Sequence, residues 1–524
     1  MSRPPPSTRP TPPSSSSSSS SSSMSTSTGT LVPLATLSPP IPGGSPAWHV
    51  AFSIDGRYLA ACVGNPDTRV LVWEKRRRRR RRDGGSGASL SRGRGRRPLP
   101  GEDATDATKA KKSAEDDVDV VDEDEEGGRE WELISTIRDD DDDDDEYGGR
   151  RRQNRPGSTS SRRTIRCAAF APTCMSSLIL ATASFDGKVV VWERRRRDCY
   201  DGRDRDVDDD VDDDDDCEYD EYDDRDVNSF EAITQLEGHE SEVKCLTWNA
   251  TGSLLASCGR DKTIWIWECR LPGTVGGGDG NAARDGDMGG GEGAGEFDCL
   301  AVLQGHGGDV KSITFGQSHG QFGDGDEVLY SASYDNTVKV WAEEDGEWYC
   351  ASTLDDTVHS STVWCVALSP GGVRMYTGSQ DGSIGIWKMR TSAELSRRRG
   401  SSSSSSTRGV GGGGGGSWDC VGRLSDSHSG YPVMSIDCAP SRAGHGRVAS
   451  CGGDDRINVY REEVVNVGGT IMSSSSDAPK FALEAVAVDA HDGDVNCVRW
   501  HPLDGTCLAS CGDDGAVRLW RYRR

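Results

Sequence analysis

Residues of the three types that form a nucleophilic triad recur along this chain. His239, Ser257 and Asp261 form one such set, and a second His, Ser and Asp set lies near residue 500. A histidine beside a serine hydroxyl, with an aspartate orienting the imidazole, is the arrangement that activates serine for acyl transfer. An enzyme needs one active site, whereas a set that recurs in several copies of a repeat stabilises the repeat. The recurrence therefore predicts a structural role for these residues and no catalysis.

Other chemistry is not indicated by the remaining residues. The scattered His and Asp residues show no metal-ligand spacing, and no CxxC pair occurs. The chain also has no phosphate-binding loop of the form GxxxxGK[ST]. The sequence therefore predicts no metal and no cofactor.

The triad-like sets belong to a pattern that occurs seven times: a strand of small and aliphatic residues, a turn aspartate, and a strand that ends in Trp or Tyr. LASCGRDKTIWIW and LASCGDDGAVRLW are two copies. The closing aromatic residues are Trp73, Trp192, Trp267, Trp341, Trp387, Tyr460 and Trp520. This is the WD-repeat signature. It predicts an all-β fold, a single seven-bladed WD-repeat β-propeller with long disordered loop inserts.

In propellers similar to this one, a histidine, a serine or threonine, the turn aspartate and the closing tryptophan form a buried hydrogen-bond chain that holds a loop to its blade. Which small residue binds each histidine is left open by the sequence. The predicted members are His239, Ser257, Asp261 and Trp267 in blade three, His306, Asp335 and Trp341 in blade four, His359, Asp381 and Trp387 in blade five, and His491, Ser510, Asp514 and Trp520 in blade seven.

The domain boundaries follow from the repeats. Residues 1–28 are predicted to be a disordered Ser/Pro-rich tail, and residues 29–524 the propeller. The blade modules are predicted at about 45–74, 164–193, 238–268, 305–342, 359–388, 428–461 and 491–521. Disordered inserts are predicted at about 75–129, 139–163, 193–229, 269–296, 389–416 and 462–480.

Each blade needs an outer fourth strand. Short segments that begin with an aromatic residue, such as EWELISTI and FEAITQL, are predicted to be this strand in blades one to six. Blade seven has no such segment after Trp520. Residues 31–37, LVPLATL, are predicted to supply its fourth strand and so to close the ring.

Composition limits the class of protein. The net charge is −25 and only 33% of residues are hydrophobic, because Arg, Asp, Ser and Gly runs separate the repeats. No run approaches the roughly 18 apolar residues of a membrane span, which argues against a membrane role. Cysteines recur at fixed repeat positions, as in VKCLTW and VNCVRW, which is typical of small buried residues in a reducing compartment.

The inserts divide the two faces of the predicted ring. Most of them, including the arginine run from Arg76 to Arg82, fall on the face opened by the third-to-fourth-strand loops. Acidic inserts on the same face would compete for these arginines, which argues against a nucleic-acid arm. The opposite face, formed by the histidine loops and aspartate turns, carries only the insert at 139–163. We therefore expect a partner to bind there.

Two positions in each repeat are expected to line this second face. The residues before the turn aspartates are predicted to be Phe185, Arg260, Tyr334, Gln380, Asp454 and Asp513. The residues at the start of the innermost strands are Trp48, Arg166, Lys244, Lys311, Trp364, Met434 and Asn496. Aromatic residues and arginine dominate interface energetics. The predicted partner-binding residues are Arg260, Lys244, Tyr334, Lys311, Trp364, Trp48 and Phe185.

Residues between the signature positions resemble one WD-repeat family. The segments LEGHESEVKCLTWNATGSLLASCGRDKTIWIWE, SASYDNTVKVWAEEDGEWYCASTL and AHDGDVNCVRWHP are similar to those of the cytosolic iron–sulfur protein assembly WD-repeat proteins, in the same order. The long inserts are not part of that family's pattern. Blade four also ends VKVWAEED where relatives tend to have Leu-Tyr-Arg, which places a chaperone contact through that motif in doubt.

This resemblance implies a non-enzymatic adaptor of the cytosolic targeting complex, which helps to deliver [4Fe-4S] clusters to cytosolic and nuclear apoproteins. The implied partners are a small cysteine-bearing adaptor, a HEAT-repeat scaffold, an iron-only-hydrogenase-like cluster carrier and the iron–sulfur apoproteins. The implied location is cytoplasmic and also nuclear.

Two other functions fit a propeller of this kind. A substrate receptor of a ubiquitin ligase usually has Trp-Asp-x-Arg after a blade, and the nearest matches here, at Trp192 and Trp387, lack the aspartate. A histone-binding or RNA-binding scaffold is the third alternative, although spacing alone assigns no aromatic cage. Copurified proteins would separate the three functions.

Overall fold

The computed structural model describes residues 29–38, 44–77, 129–138, 163–172, 178–194, 230–271, 296–355, 357–390, 418–440, 446–467, 470–473 and 479–524. Throughout these ranges the regular elements are β-strands. No helix within them is long and apolar enough to cross a membrane. The predicted tail at 1–28 and most of the predicted inserts lie outside the described residues.

Seven antiparallel four-stranded sheets form the blades of a propeller, as the repeats predict. Blade one contains β2 (Ala47–Phe52), β3 (Tyr58–Val63), β4 (Arg69–Arg77) and β5 (Arg129–Arg138). Blade two contains β6 (Ile165–Phe170), β7 (Leu178–Ser184), β8 (Val189–Arg194) and β9 (Phe230–Leu236). Blade three contains β10 (Val243–Trp248), β11 (Leu254–Gly259), β12 (Ile264–Arg270) and β13 (Glu296–Leu303). Blade four contains β14 (Val310–Gln317), β15 (Glu327–Ser333), β16 (Val338–Glu344) and β17 (Glu347–Leu354).

The remaining blades follow the same order. Blade five contains β18 (Val363–Leu368), β19 (Arg374–Ser379), β20 (Ile384–Met389) and β21 (Trp418–Leu424). Blade six contains β22 (Val433–Cys438), β23 (Arg447–Gly452), β24 (Ile457–Glu462) and β27 (Phe481–Ala487). Blade seven contains β28 (Val495–His501), β29 (Asp504–Gly512), β30 (Val517–Arg523) and β1 (Thr30–Ser38). Each predicted fourth strand is therefore paired as expected.

Closure of the ring depends on β1. This strand pairs antiparallel with β30, with Leu31 opposite Tyr522 and Pro33 opposite Trp520. Pro33 has no amide hydrogen, but the outermost strand needs none on its open side. The prediction that residues 31–37 close blade seven is confirmed.

The core of the ring lies between the blades. Seven clusters of buried apolar side chains each join two neighbouring blades, and the last cluster joins blade seven to blade one. In that cluster Val50 and Leu59 pack with Val517 and Leu519. Burial on both sides of each sheet explains why the second strands are rich in small and aliphatic residues.

One predicted insert contains regular structure. Within the range 462–480, β25 (Val464–Val467) pairs with β26 (Thr470–Ser473) as a short two-stranded hairpin. The sequence VVNVGGTIMS explains the difference, because β-branched residues flank a Gly-Gly pair that favours a tight turn.

Candidate partner-binding face

The triad-like residues of blade three form a hydrogen-bond chain. The indole Nε1 of Trp267 donates to Ser257 Oγ at 3.1 Å, and Ser257 Oγ lies 2.9 Å from His239 Nε2. The Nδ1 atom of His239 lies 2.7 Å from Asp261 Oδ2. Ser257 has no exposed surface. Its hydroxyl joins Trp267 to His239, and His239 joins Asp261, so the chain holds the loop before the blade to the turn between strands.

Blades four and seven repeat this chain. Ser331 links Trp341 to His306, which pairs with Asp335 at 2.8 Å. In blade seven the corresponding atoms of His491 lie 2.7 Å from Ser510 and 2.9 Å from Asp514, and Trp520 donates to the same serine. The small residue that the sequence left open is thus the fourth residue before the turn aspartate.

Blade five closes the chain differently. His359 Nε2 lies 2.7 Å from Thr377 Oγ1, to which Trp387 also donates. On its other side, His359 Nδ1 lies 3.2 Å from Ser383 Oγ, which donates to Asp381 at 2.6 Å. Asp381 itself is 3.7 Å from the imidazole. A serine hydroxyl therefore stands between the histidine and the aspartate in this blade.

Blade six corrects one prediction. Asp454 was expected to precede the turn aspartate, but it is the turn aspartate, since its Oδ1 lies 2.7 Å from His428 Nδ1. The following residue, Asp455, has φ 63°, in the left-handed region. Lys262 and Asn336 occupy that same position after their turn aspartates, with φ 68° and 67°. Because two aspartates are adjacent in blade six, the sequence pattern alone did not distinguish which of them is the turn aspartate.

Four turn aspartates, Asp261, Asp335, Asp381 and Asp514, have a pKa below the ordinary value. Burial alone would raise the pKa of Asp261, but the hydrogen bonds from His239 and Thr263 outweigh it and hold the pKa below its ordinary value. The same balance lowers the pKa of Asp335 beside His306. These four aspartates therefore remain charged, and each accepts hydrogen bonds from backbone amides of the loop that it holds.

A β-bulge begins every innermost strand. In β10 the register shifts between Val243 and Cys245, so Lys244 is the extra residue. The same shift leaves one unpaired residue in each of the seven blades. These residues are Trp48, Arg166, Lys244, Lys311, Trp364, Met434 and Asn496. A bulge re-aims a side chain, and here it allows the extra residue to contact the neighbouring blade.

Aromatic and basic residues of neighbouring blades meet on this face. Lys311 Nζ lies 5.5 Å from the ring centroid of Tyr334 and 5.1 Å from that of Trp364. Lys244 Nζ lies 4.0 Å from the ring centroid of Phe185 in the preceding blade. Cation–π contacts of this kind hold both partners in place.

The arrangement continues through blade one. The guanidinium of Arg166 lies 5.0 Å from the ring of Trp48 and donates to the carbonyl of the same residue at 3.0 Å. Trp364 donates to Gln380 at 2.7 Å, and Asn496 donates to Asp513 at 2.8 Å. The structure therefore brings Phe185 together with Lys244, and Tyr334 and Trp364 together with Lys311. Trp48 contacts Arg166 and none of the other residues named for partner binding.

Two acidic residues that the sequence reasoning missed belong to the same face. Glu242 accepts from Lys244 at 3.0 Å and from Arg260 at 3.2 Å, and Asp309 accepts from Lys311 at 3.0 Å. Both acids stand two residues before a bulged lysine, and this spacing was the available signal. These carboxylates offset part of the positive charge of Lys244, Arg260 and Lys311.

The chemistry of this face suits recognition of a protein. The side chain of Arg260 is 59% exposed and Tyr334 is 61% exposed. Both are residue types that anchor interfaces. Burial lowers the pKa of Lys244. Burial alone would raise the pKa of Glu242, but the hydrogen bonds from Lys244 and Arg260 outweigh it and lower that pKa.

Metal-binding geometry is not found in the part of the chain that the structure describes. No three His, Cys, Asp or Glu side chains there are grouped so that they could hold a metal ion. The described cysteines form no disulfide, and Cys62, Cys258 and Cys451 are fully buried on second strands.

Comparison with known proteins adds the family evidence. The family "WD domain, G-beta repeat" matches residues 151–193, 230–268, 297–342, 348–388 and 484–521. A protein of Botryotinia fuckeliana is 30% identical over 400 residues, which cover 68% of this chain and 84% of that protein. A protein of Meyerozyma guilliermondii is 31% identical over 379 residues, 68% of this chain and 85% of that protein. Both are named "Probable cytosolic iron-sulfur protein assembly protein 1".

Proposed function

Since the chain belongs to the family named cytosolic iron-sulfur protein assembly protein 1, we propose that it is a non-enzymatic adaptor of cytosolic iron–sulfur protein assembly. In this role it helps to deliver [4Fe-4S] clusters to cytosolic and nuclear apoproteins as part of a targeting complex. The clusters are cargo of the complex.

The similarity to relatives over most of their length carries this proposal. It reaches 84% and 85% of two relatives, and the matched length is therefore that of a propeller and not of single repeats. In the part of the chain that the structure describes, the recurring His and Ser residues of three blades form the same loop-to-blade bond, as structural repeats do. The function of the propeller then lies in the surfaces that it presents.

The proposed partners are those that the family resemblance implies. They are a small cysteine-bearing adaptor, a HEAT-repeat scaffold, an iron-only-hydrogenase-like cluster carrier and the iron–sulfur apoproteins. We place their docking on the face of Arg260 and Tyr334, where exposed aromatic and basic side chains meet. The proposed location is the cytoplasm and also the nucleus.

Depletion of the protein tests the adaptor function. Cells without it should lose iron incorporation into cytosolic [4Fe-4S] enzymes, measured by radioactive iron recovered with an immunoprecipitated client, while mitochondrial clusters load normally. The tagged chain should copurify with the scaffold and with the apoproteins. Normal cytosolic loading after depletion, or recovery of a ubiquitin-ligase linker instead, would overturn the proposal.

Arg260 offers a test of the docking face with a matched control. Arg260→Glu should fold normally but weaken partner binding by about 2 kcal/mol or more, roughly thirtyfold. Arg270 lies at the opposite end of the same blade, is 64% exposed and is likewise paired with a glutamate, Glu296, at 3.0 Å. Arg270→Glu should therefore leave binding unchanged. Equal binding by the two variants would exclude this face but not the adaptor function.

A further inference from the structure

A cavity of about 430 Å³ lies on blade three, beside its aspartate turn. Its lining includes Gly238, Glu240, Asp261, Trp265 and Val302. The volume is in the range of pockets that bind small molecules or single side chains. No residue named for the docking face above lines it.

Two other blades place an arginine at this position, whereas blade four has Lys339, which donates to Thr353 Oγ1 at 2.8 Å. In blade seven, Arg518 stands on the third strand where blade three has Trp265. Its Nη1 donates to Asp514 Oδ2 at 3.0 Å and to the carbonyl of Ala490 at 2.6 Å. Asp514 is the turn aspartate of that blade, and Ala490 is the residue before its chain histidine.

Blade five reaches the same aspartate by another route. Arg423 stands on the outer strand, opposite Gly385 as Val302 stands opposite Trp265. Its Nη2 donates to the turn aspartate Asp381 at 3.0 Å. Two blades therefore place a guanidinium on the turn aspartate, one from the third strand and one from the fourth.

Blade three has the same two acceptors but no guanidinium, and Asp261 accepts from the Thr263 hydroxyl at 2.8 Å, where blade seven has Ala516. Asp261 and the carbonyl of Gly238 correspond to Asp514 and Ala490 of blade seven, and both residues line the cavity. Both strand positions that could carry the arginine hold apolar residues instead, Trp265 and Val302. Val302 is 40% exposed.

The indole makes one wall of the cavity. Trp265 stacks on Trp267 with ring centroids 5.3 Å apart, and its Nε1 donates to Thr263 Oγ1 at 3.1 Å. The Nε1 atom of Trp265 is therefore already hydrogen-bonded, and the indole lines the cavity as an aromatic surface. A planar guanidinium binds to such a surface by stacking and by cation–π attraction.

The charge of the cavity also favours a cation. Glu240 and Asp261 supply two carboxylates against one ammonium, that of Lys262. Glu240 forms no ion pair with any other residue that the structure describes, and its backbone amide is fixed by Asp261 at 3.1 Å. We propose that this cavity binds an arginine side chain of a partner protein, with the guanidinium on Asp261 and the Gly238 carbonyl and its plane beside Trp265.

Titration of the full-length chain with a minimal arginine probe tests this proposal. The probe is N-acetyl-arginine N-methylamide, and its neutral control is the citrulline analogue, which has the same shape. The readout is ¹⁹F NMR of protein labelled with 5-fluorotryptophan. We expect saturable shifts of the Trp265 resonance by the arginine probe in the millimolar range, and binding at least tenfold weaker by the citrulline probe.

Val302→Arg supplies the internal guanidinium that blade five has, and should weaken binding of the arginine probe at least tenfold. Val302→Gln, at the same exposed position without a charge, should keep affinity within about twofold. Val302 is chosen because Trp265→Arg also removes the stacking on Trp267. Equal binding of the two probes, or unchanged binding by Val302→Arg, would overturn the proposal. Both results are independent of iron–sulfur assembly.

Discussion

Mild acid should destabilise the protein through His359. This imidazole is 2% exposed, and burial lowers its pKa to about 4, although Asp381 acts in the opposite direction. In the unfolded chain the pKa is about 6.5. The unfolded state therefore binds the additional proton between these two values, so stability is full above pH 6.5 and is lost as the pH falls toward 4.

The magnitude follows from the two pKa values. Between pH 7.5 and pH 5 the unfolded histidine becomes almost fully protonated, while the folded one stays largely neutral. The difference corresponds to about 2 kcal/mol from His359 alone, a large share of the 5–15 kcal/mol that typically separates folded from unfolded domains. The pKa values of Asp335 and Asp514 are also lowered, but aspartates act below about pH 4, where their own protonation begins.

Urea unfolding at pH 7.5, 6.5 and 5.0 measures this contribution. His359→Gln removes the titrating group, so the variant should lose about 2 kcal/mol less than wild type between pH 7.5 and 5.0. Its stability at pH 7.5 should be lower, because the bonds to Thr377 and Ser383 are disturbed. The exposed His319 provides the control, and His319→Gln should follow wild type. If His359→Gln has the wild-type pH dependence, the reasoning is refuted.

Three further predictions concern the frame. Deleting residues 1–28 should leave soluble protein, whereas deleting 1–40 removes β1, bares β30 and should abolish solubility; equal yields would contradict closure by β1. Replacing 78–128 by a short Gly/Ser link should leave the melting temperature nearly unchanged, since the flanking Arg77 and Arg129 are cross-strand partners; a drop of many degrees would contradict it. Asp454→Ala should lower the free energy of unfolding by about 1–3 kcal/mol, because it leaves His428 without its acceptor. Asp455→Gly, measured by the same urea unfolding, should lower it less, because glycine suits φ 63°. The reverse order would contradict the assignment of Asp454 as the turn aspartate of blade six.

The repeats made the frame predictable from sequence. In each copy two signals predict the third strand: the alternation of residues in IWIW or VKVW, and the aromatic residue that ends the strand. A missing fourth strand in blade seven then had one available source, residues 31–37. Such inferences succeed because backbone pairing in a propeller depends on local pattern and on the number of strands.

Features that join one blade to the next were harder to predict. The ion pairs of Glu242 and Asp309 could have been read from spacing. The contact of Lys244 with Phe185, however, arises only when the bulge of one blade packs against the aspartate turn of the preceding blade. Two adjacent aspartates in blade six made the register ambiguous until the left-handed Asp455 identified the turn. The cavity of blade three depends on Trp265 and Val302, which are far apart in sequence and opposite each other in the sheet.

Comparison among blades shows which departures from the repeat are compensated. Blade five inserts Ser383 between histidine and aspartate, so every donor and acceptor of the chain still has a partner. Blade two has Thr182 and Trp192 but no chain histidine, and Asp186 Oδ2 is buried there without a hydrogen-bond partner among the described residues. Asp454 Oδ2 in blade six is unpartnered in the same way, so these two turns are the least satisfied of those described. In blade three Trp265 Nε1 donates to Thr263 Oγ1, which donates to Asp261, so the indole takes part in the bonds that hold this turn. Val302 is different, because it is an exposed apolar residue where blade five has Arg423, and a departure of this kind is one that function can retain.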